Sequence, residues 1–260
     1  MFNRRWHAIV PAKRLKDAKS RLGRDDLALP FLTDVITALN KSDLVESVTI
    51  VSADPTICHL AEEMGCRVVV EHSSDGLLPA ITLGIEELDA ADQVNILVVL
   101  GDLPCLSTDH VNRFLTQGSD NATSFISDAE GTGSTMWMRT HSTDHMPFFG
   151  PRSRARHRES GTIEISGEKF LGARRDVDTE VNLWDAVRIG VGEATHKALD
   201  TRTAPSSLSS ESDVVVTITQ SSPPVGVDEN GHLHSLAHRD LLPLIAPRQG
   251  QRVVISQVTA

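Results

Sequence analysis

A chain of 260 residues with 40% apolar positions can bury a full core in one large domain and still carry a small appendage. Its formal charge of -10 argues against a general binder of nucleic acid or anionic membranes, because such partners select a net basic footprint. Any anion site must then be a local basic cluster. Cys58, Cys66 and Cys105 lack the spacing of zinc ligands or of a disulfide framework and read as buried thiols of a cytoplasmic protein. Arg4-Arg5 precedes too short an apolar stretch for an export signal, and no later segment is long enough to span a bilayer.

In chain order, Trp6 to Val10 reads as a strand, Leu27 to Leu39 as an amphipathic helix and Ser47 to Val51 as a second strand. Pro55 to Met64 follows as a helix closed by Gly65, Arg67 to Val70 as a strand, Leu78 to Leu88 as a helix and Asn95 to Leu100 as a fully apolar strand. Strands alternating with helices predict an α/β, Rossmann-like fold, a mostly parallel sheet flanked by helices. Beyond Asp102 the pattern loosens. Val111 to Leu115 is helical, Ala122 to Ser127 and Thr135 to Arg139 read as strands, and Val181 to Val187 as a closing helix. Residues 1–198 are thus expected to form the main domain. Residues 199–212, rich in Ser, Thr and Pro, read as a linker. Residues 213–260 carry short β-like runs at Val214 to Thr219, Val225 to Val227, His232 to Leu236 and Arg252 to Val258, a small meander or barrel of unknown role.

Five segments carry candidate chemistry. The first strand is followed by Lys13, Arg14, Lys16, Lys19, Ser20 and Arg21, a basic inversion in an acidic chain. Placed at a strand's carboxyl end, it suits a triphosphate better than a solvated helix face does, although the glycine spacing of a P-loop is absent. Gly101-Asp102-Leu103-Pro104 ends the buried strand in a stiff elbow that presents one carboxylate, a metal ligand or a turn aspartate. Gly131 and Gly133 flank hydroxyls in Thr132, Ser134 and Thr135, as in a close ligand approach or an ordinary turn. Arg152, Arg154, Arg156 and Arg158 alternate with Ser153, Ala155 and His157, in a density that argues against burial. They read as an exposed strand or helix start, or as a clamp for a small phosphorylated acid with Ser153 and the Gly150 amide. His157 is structural or catalytic. Asp176 and Asp178, two apart on an extended segment, are expected to point the same way and to need a divalent cation between them, while Thr179 is a helix N-cap.

With these segments in this order, the chain resembles the guanylyltransferases of coenzyme F420 biosynthesis, which activate 2-phospho-L-lactate or phosphoenolpyruvate with GTP. The resemblance runs from Trp6 to about Thr195. It rests on VPAKRL with AKSRL, GDLP, GTGST, FGPRSRARH and DVDT. It implies that Asp102, Asp176 and Asp178 hold Mg²⁺, that Thr135, Gly150 and Ser153, with Arg154 and His157 beside them, receive the phosphorylated acid, and that Lys13, Lys19 and Arg21 face the GTP phosphates. Pro11, Ser20, Gly76 and Gly101 complete the nucleotide side. The implied partners are GTP, a small phosphorylated carboxylic acid and the enzyme that consumes the guanylylated product, with neither nucleic acid nor membrane. Where the family carries Gly-Leu-Asn, this chain has Gly76-Leu77-Leu78, and Glu180 replaces the usual proline after DVDT. A nucleotidyltransferase acting on a sugar phosphate or pterin, or a non-catalytic nucleotide-binding module, would share part of the pattern.

Overall fold

Seven short strands with apolar residues on both faces need helices on both sides, and that layering organises the first of two units, Met1–Asp200 and Thr201–Ala260. The computed structural model describes residues 5–15, 22, 24–71, 76–89, 94–203, 214–219, 225–227, 233–235 and 253–258. In the first unit, β1 (Trp6–Pro11), β2 (Val45–Ser52), β3 (Arg67–Val70) and β4 (Asn95–Val99) run parallel. They alternate with α1 (Ala28–Asn40), α2 (Pro55–Glu63) and α3 (Leu77–Asp89). After α4 (Thr108–Gly118) come β5 (Thr123–Ser127), β6 (Ser134–Arg139), α5 (Ser153–Glu159) and β7 (Ile163–Glu164). Then follow α6 (Leu171–Arg174), α7 (Glu180–Ile189) and α8 (Glu193–Thr203). The strand order is β3-β2-β1-β4-β6-β5-β7, and β6 is antiparallel to both of its neighbours.

Strand alternation assigns each side chain to a face. Ala8, Val10, Leu97, Val99, Met136 and Met138 join the core beneath α1, α2 and α4, whereas Ile9, Ile96, Val98 and Trp137 pack with Ile81 and Ile85 of α3. All of these are essentially buried. At about 25 cal/mol per Å² of apolar surface, this two-sided burial is the main term holding the sheet together.

Two expectations change. The Arg-rich segment forms the helix α5, and despite its charge it buries Ser153 and His157, which stand four residues apart and so share the face turned into the protein. Residues 199–203, read from composition as linker, continue α8. Ala198 and Leu199 pack against a third cluster that includes Leu27, Phe31 and Leu183. In the second unit, β8 (Val214–Thr219), β9 (Val225–Val227) and β10 (Leu233–Ser235) form an antiparallel meander. In the same sheet, β11 (Val253–Val258) pairs parallel with β8.

Candidate active site

Parallel strands deliver their carboxyl ends to one edge of a sheet, and the candidate residues follow β1, β3 and β4 there. Pro11 closes β1, Ala12 extends it by donating its N–H to the Val51 carbonyl at 2.9 Å, and the Leu15 N–H is caught at 3.0 Å by Asp54 Oδ2. Asp54 also caps α2, its Oδ1 accepting from the Thr56 N–H at 2.9 Å. Burial opposes the Asp54 charge, but the N–H donors of Leu15, Thr56 and Ile57, with Arg14 nearby, hold its carboxyl below the usual range. One carboxylate therefore fixes both a helix start and the basic segment.

Pro11, Lys13 and Arg14 form one wall of a pocket of about 220 Å³, and Glu71, Gly76 and Leu77 form the other. Pro11, Lys13 and Gly76 are thus gathered as expected. Gly101 lies next to them, since a Cβ there would stand 3.6 Å from the Pro11 carbonyl oxygen. Lys16, Lys19, Ser20 and Arg21 lie outside the described residues.

At the end of β4, the Asp102 carbonyl accepts the Val177 N–H at 3.1 Å and so pins the Asp176–Asp178 segment against the elbow. Asp176 is partly buried and its Oδ1 has no hydrogen-bond partner, whereas Asp178 is exposed. The two aspartates therefore do not share one environment. Burial pushes the Asp176 carboxyl up to about 7, and the charges of Asp102, Glu130 and Asp178 act in the same direction. Glu130 is held nearby by Arg175 at 2.7 Å and by the Asn182 amide at 3.2 Å. Thr179 caps α7 through a reciprocal box with Asn182.

Among the described residues, no three His, Cys, Asp or Glu side chains are drawn together closely enough to hold a metal ion by themselves. The expected three-aspartate cage is therefore incomplete as protein alone. What does fit a cation is the orphaned Asp176 oxygen, facing a concentration of negative charge that a cation would relieve. Oxygen donors of this kind suit Mg²⁺, which commonly takes one or two carboxylates and completes its shell with water and substrate phosphate.

The acceptor-side residues converge, but their side chains mostly serve the protein. Asp128 accepts the N–H groups of Thr132 at 2.8 Å and Gly133 at 2.6 Å. The carboxylate comes so close that a Cβ on Gly133 would stand 2.5 Å from Oδ2. Thr135 is fully buried, and its hydroxyl donates to the Ala173 carbonyl at 2.7 Å, tying β6 to α6, which precedes Asp176. Gly150, at φ +112°, accepts the Ser153 N–H at 3.1 Å. The Ser153 hydroxyl donates to Ser134 Oγ at 3.3 Å. Arg154 commits its guanidinium to Glu164 at 3.0 Å and to the Gly131 carbonyl at 3.1 Å. His157 accepts the Phe148 N–H on Nε2 at 2.8 Å, which leaves Nδ1 to carry the proton and donate to Ser134 Oγ at 2.9 Å. Fully buried, with Arg156 and His145 adding to the effect of burial, its imidazole is lowered to about 4. His157 is a positioning residue, not a ligand contact.

Several organising residues escaped the sequence reading. Asp54, immediately before Pro55, had a visible helix-cap signature. Asp128, Glu130 and Arg174 had none, because their partners are set by the tertiary fold. Arg174, for example, donates to the Asp128 carbonyl at 2.7 Å.

A mixed sheet whose carboxyl edge carries a basic-walled pocket beside buried acid defines a nucleotidyltransferase-type α/β protein. Solved structures of the same fold include a chain described as a nucleotide-diphospho-sugar transferase from Desulfovibrio desulfuricans G20. Its TM-score is 0.59 at 12% identity, covering 76% of this chain and 95% of that one. Another is a nucleotidyl transferase from Methanothermobacter thermautotroptrophicus, with a TM-score of 0.52 at 18% identity, covering 76% and 99% respectively. Residues 6–162 match the family model described as "Guanylyl transferase CofC like", and the chain belongs to that family. A Mycobacterium leprae protein named phosphoenolpyruvate guanylyltransferase is 34% identical over 201 residues, covering 74% of this chain and 92% of the relative. A protein of the same name from Thermomonospora curvata is 34% identical over 197 residues, covering 73% and 86%. The resemblance read from the motifs and the expected fold class are both borne out.

Proposed function

We propose that the protein transfers the GMP moiety of GTP to phosphoenolpyruvate. A phosphate oxygen of the acid attacks the α-phosphorus, the bond to the bridging β-oxygen breaks, and pyrophosphate leaves. The product is a guanosine diphosphate-linked acid, of use to an enzyme that consumes the activated acid in coenzyme F420 biosynthesis. The observation that carries this reading is the pocket with Lys13 and Arg14 at the end of β1, near the end of β4 where Asp102 and the partly buried Asp176 lie, in a chain of this family. The phosphate nucleophile is already ionised near neutral pH, so the chain needs no general base. Its task is to align two anions and reduce their repulsion.

Lys13 and Arg14 would neutralise the triphosphate, with Lys19 and Arg21 assigned the same role. Asp102 and Asp176, with Asp178 close by, would hold Mg²⁺, which when bound supplies positive charge to the phosphate oxygens. We assign the acid to the turns at Gly131–Ser134 and Gly150–Ser153, which Asp128 and Arg154 hold rigid from behind. None of the described helices is long and apolar enough to cross a membrane. The free thiols Cys66 and Cys105, both buried, support our assignment to the cytoplasm.

The test is incubation with GTP, Mg²⁺ and each of phosphoenolpyruvate, 2-phospho-L-lactate and 3-phosphoglycerate, followed by mass detection of the adduct and of pyrophosphate. The expected result is an adduct with phosphoenolpyruvate. Reaction with a sugar phosphate and with none of the acids would overturn the assignment.

A further inference from the structure

We propose that Arg156 receives the carboxylate of the phosphorylated acid and so restricts the acceptor to phosphates that carry one. This inference rests on the guanylyl-transfer reading above and assigns the acceptor's second charge to a residue. Four arginines follow Gly150, and the structure separates them by what already holds them. Arg154 gives its Nε to Glu164 at 3.0 Å and its Nη1 to the Gly131 carbonyl at 3.1 Å, while Arg158 gives its Nε to the same Glu164 at 3.1 Å. Those two cations share one anion and brace the fold. Arg152 stands exposed on a left-handed backbone at φ +56°. Arg156 differs from all three. It is half-buried, its guanidinium carbon lies 5.4 Å from the centre of the Phe148 ring, and among the described residues nothing accepts a hydrogen bond from its guanidinium or pairs with its charge.

Stacking on an aromatic face fixes the plane of a guanidinium and leaves its N–H edge open. The platform is itself held, because the Phe148 N–H donates to His157 Nε2 at 2.8 Å and the two rings meet edge to face at 6.1 Å. The open edge lies by the acceptor turn, since a Cβ on Gly150 would stand 4.0 Å from Arg156 Nη1. Helical side chains lean toward the start of their helix, which is how a residue one turn into α5 reaches back to the segment before it. The chemistry of the acceptor decides which anion meets this edge. Its phosphate attacks the α-phosphorus and therefore belongs beside the nucleotide, toward Asp102 and Asp176. Its carboxylate makes and breaks no bond, and it needs a fixed counter-charge at the far side of the acid. A carboxylate presents two coplanar oxygens, which match the paired N–H groups of a guanidinium better than a point charge does. Arg156, rather than the committed Arg154, is placed to supply them.

The experiment measures kcat and KM at saturating GTP for phosphoenolpyruvate and for isopropenyl phosphate, the same molecule with methyl in place of carboxylate. The unaltered chain should prefer phosphoenolpyruvate about 1000-fold in kcat/KM, and Arg156→Gln should narrow that preference by about 100-fold, chiefly through the KM for phosphoenolpyruvate. Arg156→Lys, which keeps the charge without the fork, should recover part of the loss. Phe148→Leu, which removes the platform and leaves the cation, should raise the KM for phosphoenolpyruvate about 5-fold. An Arg156→Gln variant that keeps the original preference overturns the proposal. Should that variant or the methyl analogue give no turnover, calorimetric binding to the unaltered chain decides, equal affinities for phosphoenolpyruvate and isopropenyl phosphate overturning it. Transfer to phosphoenolpyruvate at a KM indifferent to Arg156 would sink this role and leave the guanylyl-transfer reading standing. Arg156-dependent binding of phosphoenolpyruvate with no GMP transferred to any acid would do the reverse.

Discussion

A buried imidazole with both nitrogens bonded to the protein has no proton to trade with a substrate, yet it makes the fold sensitive to acid. His157 is lowered to about 4 in the folded state by burial and by the positive neighbours Arg156 and His145, against an ordinary value of 6.5. The unfolded chain therefore binds more protons between these values, and stability falls as pH drops from about 6.5 to about 4. Thermal unfolding over that range should show the loss, and in His157→Gln its slope should be shallower by as much as about 1.4 kcal/mol per pH unit, even though the variant starts less stable. An unchanged slope would mean that another group titrates. The aspartates obey the opposite logic. Asp176→Asn removes a charge that burial and three neighbouring carboxylates oppose, so without divalent cation at pH 8 the variant should unfold at a higher temperature than the unaltered chain. Its guanylyl transfer should nevertheless fall by about 100-fold or more, as should that of Asp102→Asn, which leaves the fold intact. Loss of stability together with activity in Asp176→Asn would show that the carboxylate is structural.

At the scale of elements, the segment that carries Lys13 and Arg14 depends on a helix that it merely touches. Asp54→Ala removes the cap of α2 and the anchor of the Leu15 N–H together, so it should cost about 1–2 kcal/mol in urea unfolding and raise the KM for GTP. Asp54→Asn, which keeps one acceptor oxygen and turns a donor toward the other N–H, should recover the cap or the anchor but not both. A KM unmoved in the alanine variant would separate the cap from the pocket. Much of this framework was legible in the chain. The β-strands at Trp6, Ser47, Arg67 and Asn95 and the intervening helices follow hydrophobic periodicity, and the observed ends differ by a residue or two because helix and strand ends are set by hydrogen bonds that composition does not show. Which strand reverses was not legible, since an apolar strand reads the same in either direction. Nor was the inward face of α5, where Arg154, Arg156 and Arg158 mask a buried Ser153 and His157. In the candidate site, Lys13 and Asp102 stood out by residue type and by position after a strand, Asp176 by its spacing from Asp178, and Gly76 through the family resemblance alone. Thr135 and His157 were singled out for ligand contact, whereas their side chains make buried hydrogen bonds within the protein, because motif residues are chosen by order in the chain and hydrogen-bond partners by the fold.

At the scale of the molecule, the boundary between catalysis and appendage falls at the end of α8. Asp34 of α1, only 6% exposed, accepts the N–H groups of Ala194 at 2.9 Å and Thr195 at 3.0 Å, so the start of α8 is capped by a carboxylate from a helix far earlier in the chain. Gly192 makes room for it, since a Cβ there would stand 2.3 Å from the Asp34 carboxyl carbon. A chain ending at Thr203 keeps this arrangement and the packing of Ala198 and Leu199, and every described residue of the candidate site lies in the same unit. It should retain full guanylyl transfer and an unchanged unfolding temperature for that unit. A chain ending at Val191 leaves the Asp34 carboxylate buried with neither donor, a loss of about 3–5 kcal/mol, and should be largely unfolded or much less stable. In that shorter chain Asp34→Asn should restore part of the stability by removing the buried charge, whereas in the chain ending at Thr203 the same substitution should be destabilising because a charged acceptor is lost. Opposite signs in the two backgrounds, read by denaturant unfolding, would establish that α8 belongs to the catalytic fold and that the functional boundary falls after it. Equal signs would leave residues 199–203 with the linker that their composition suggested.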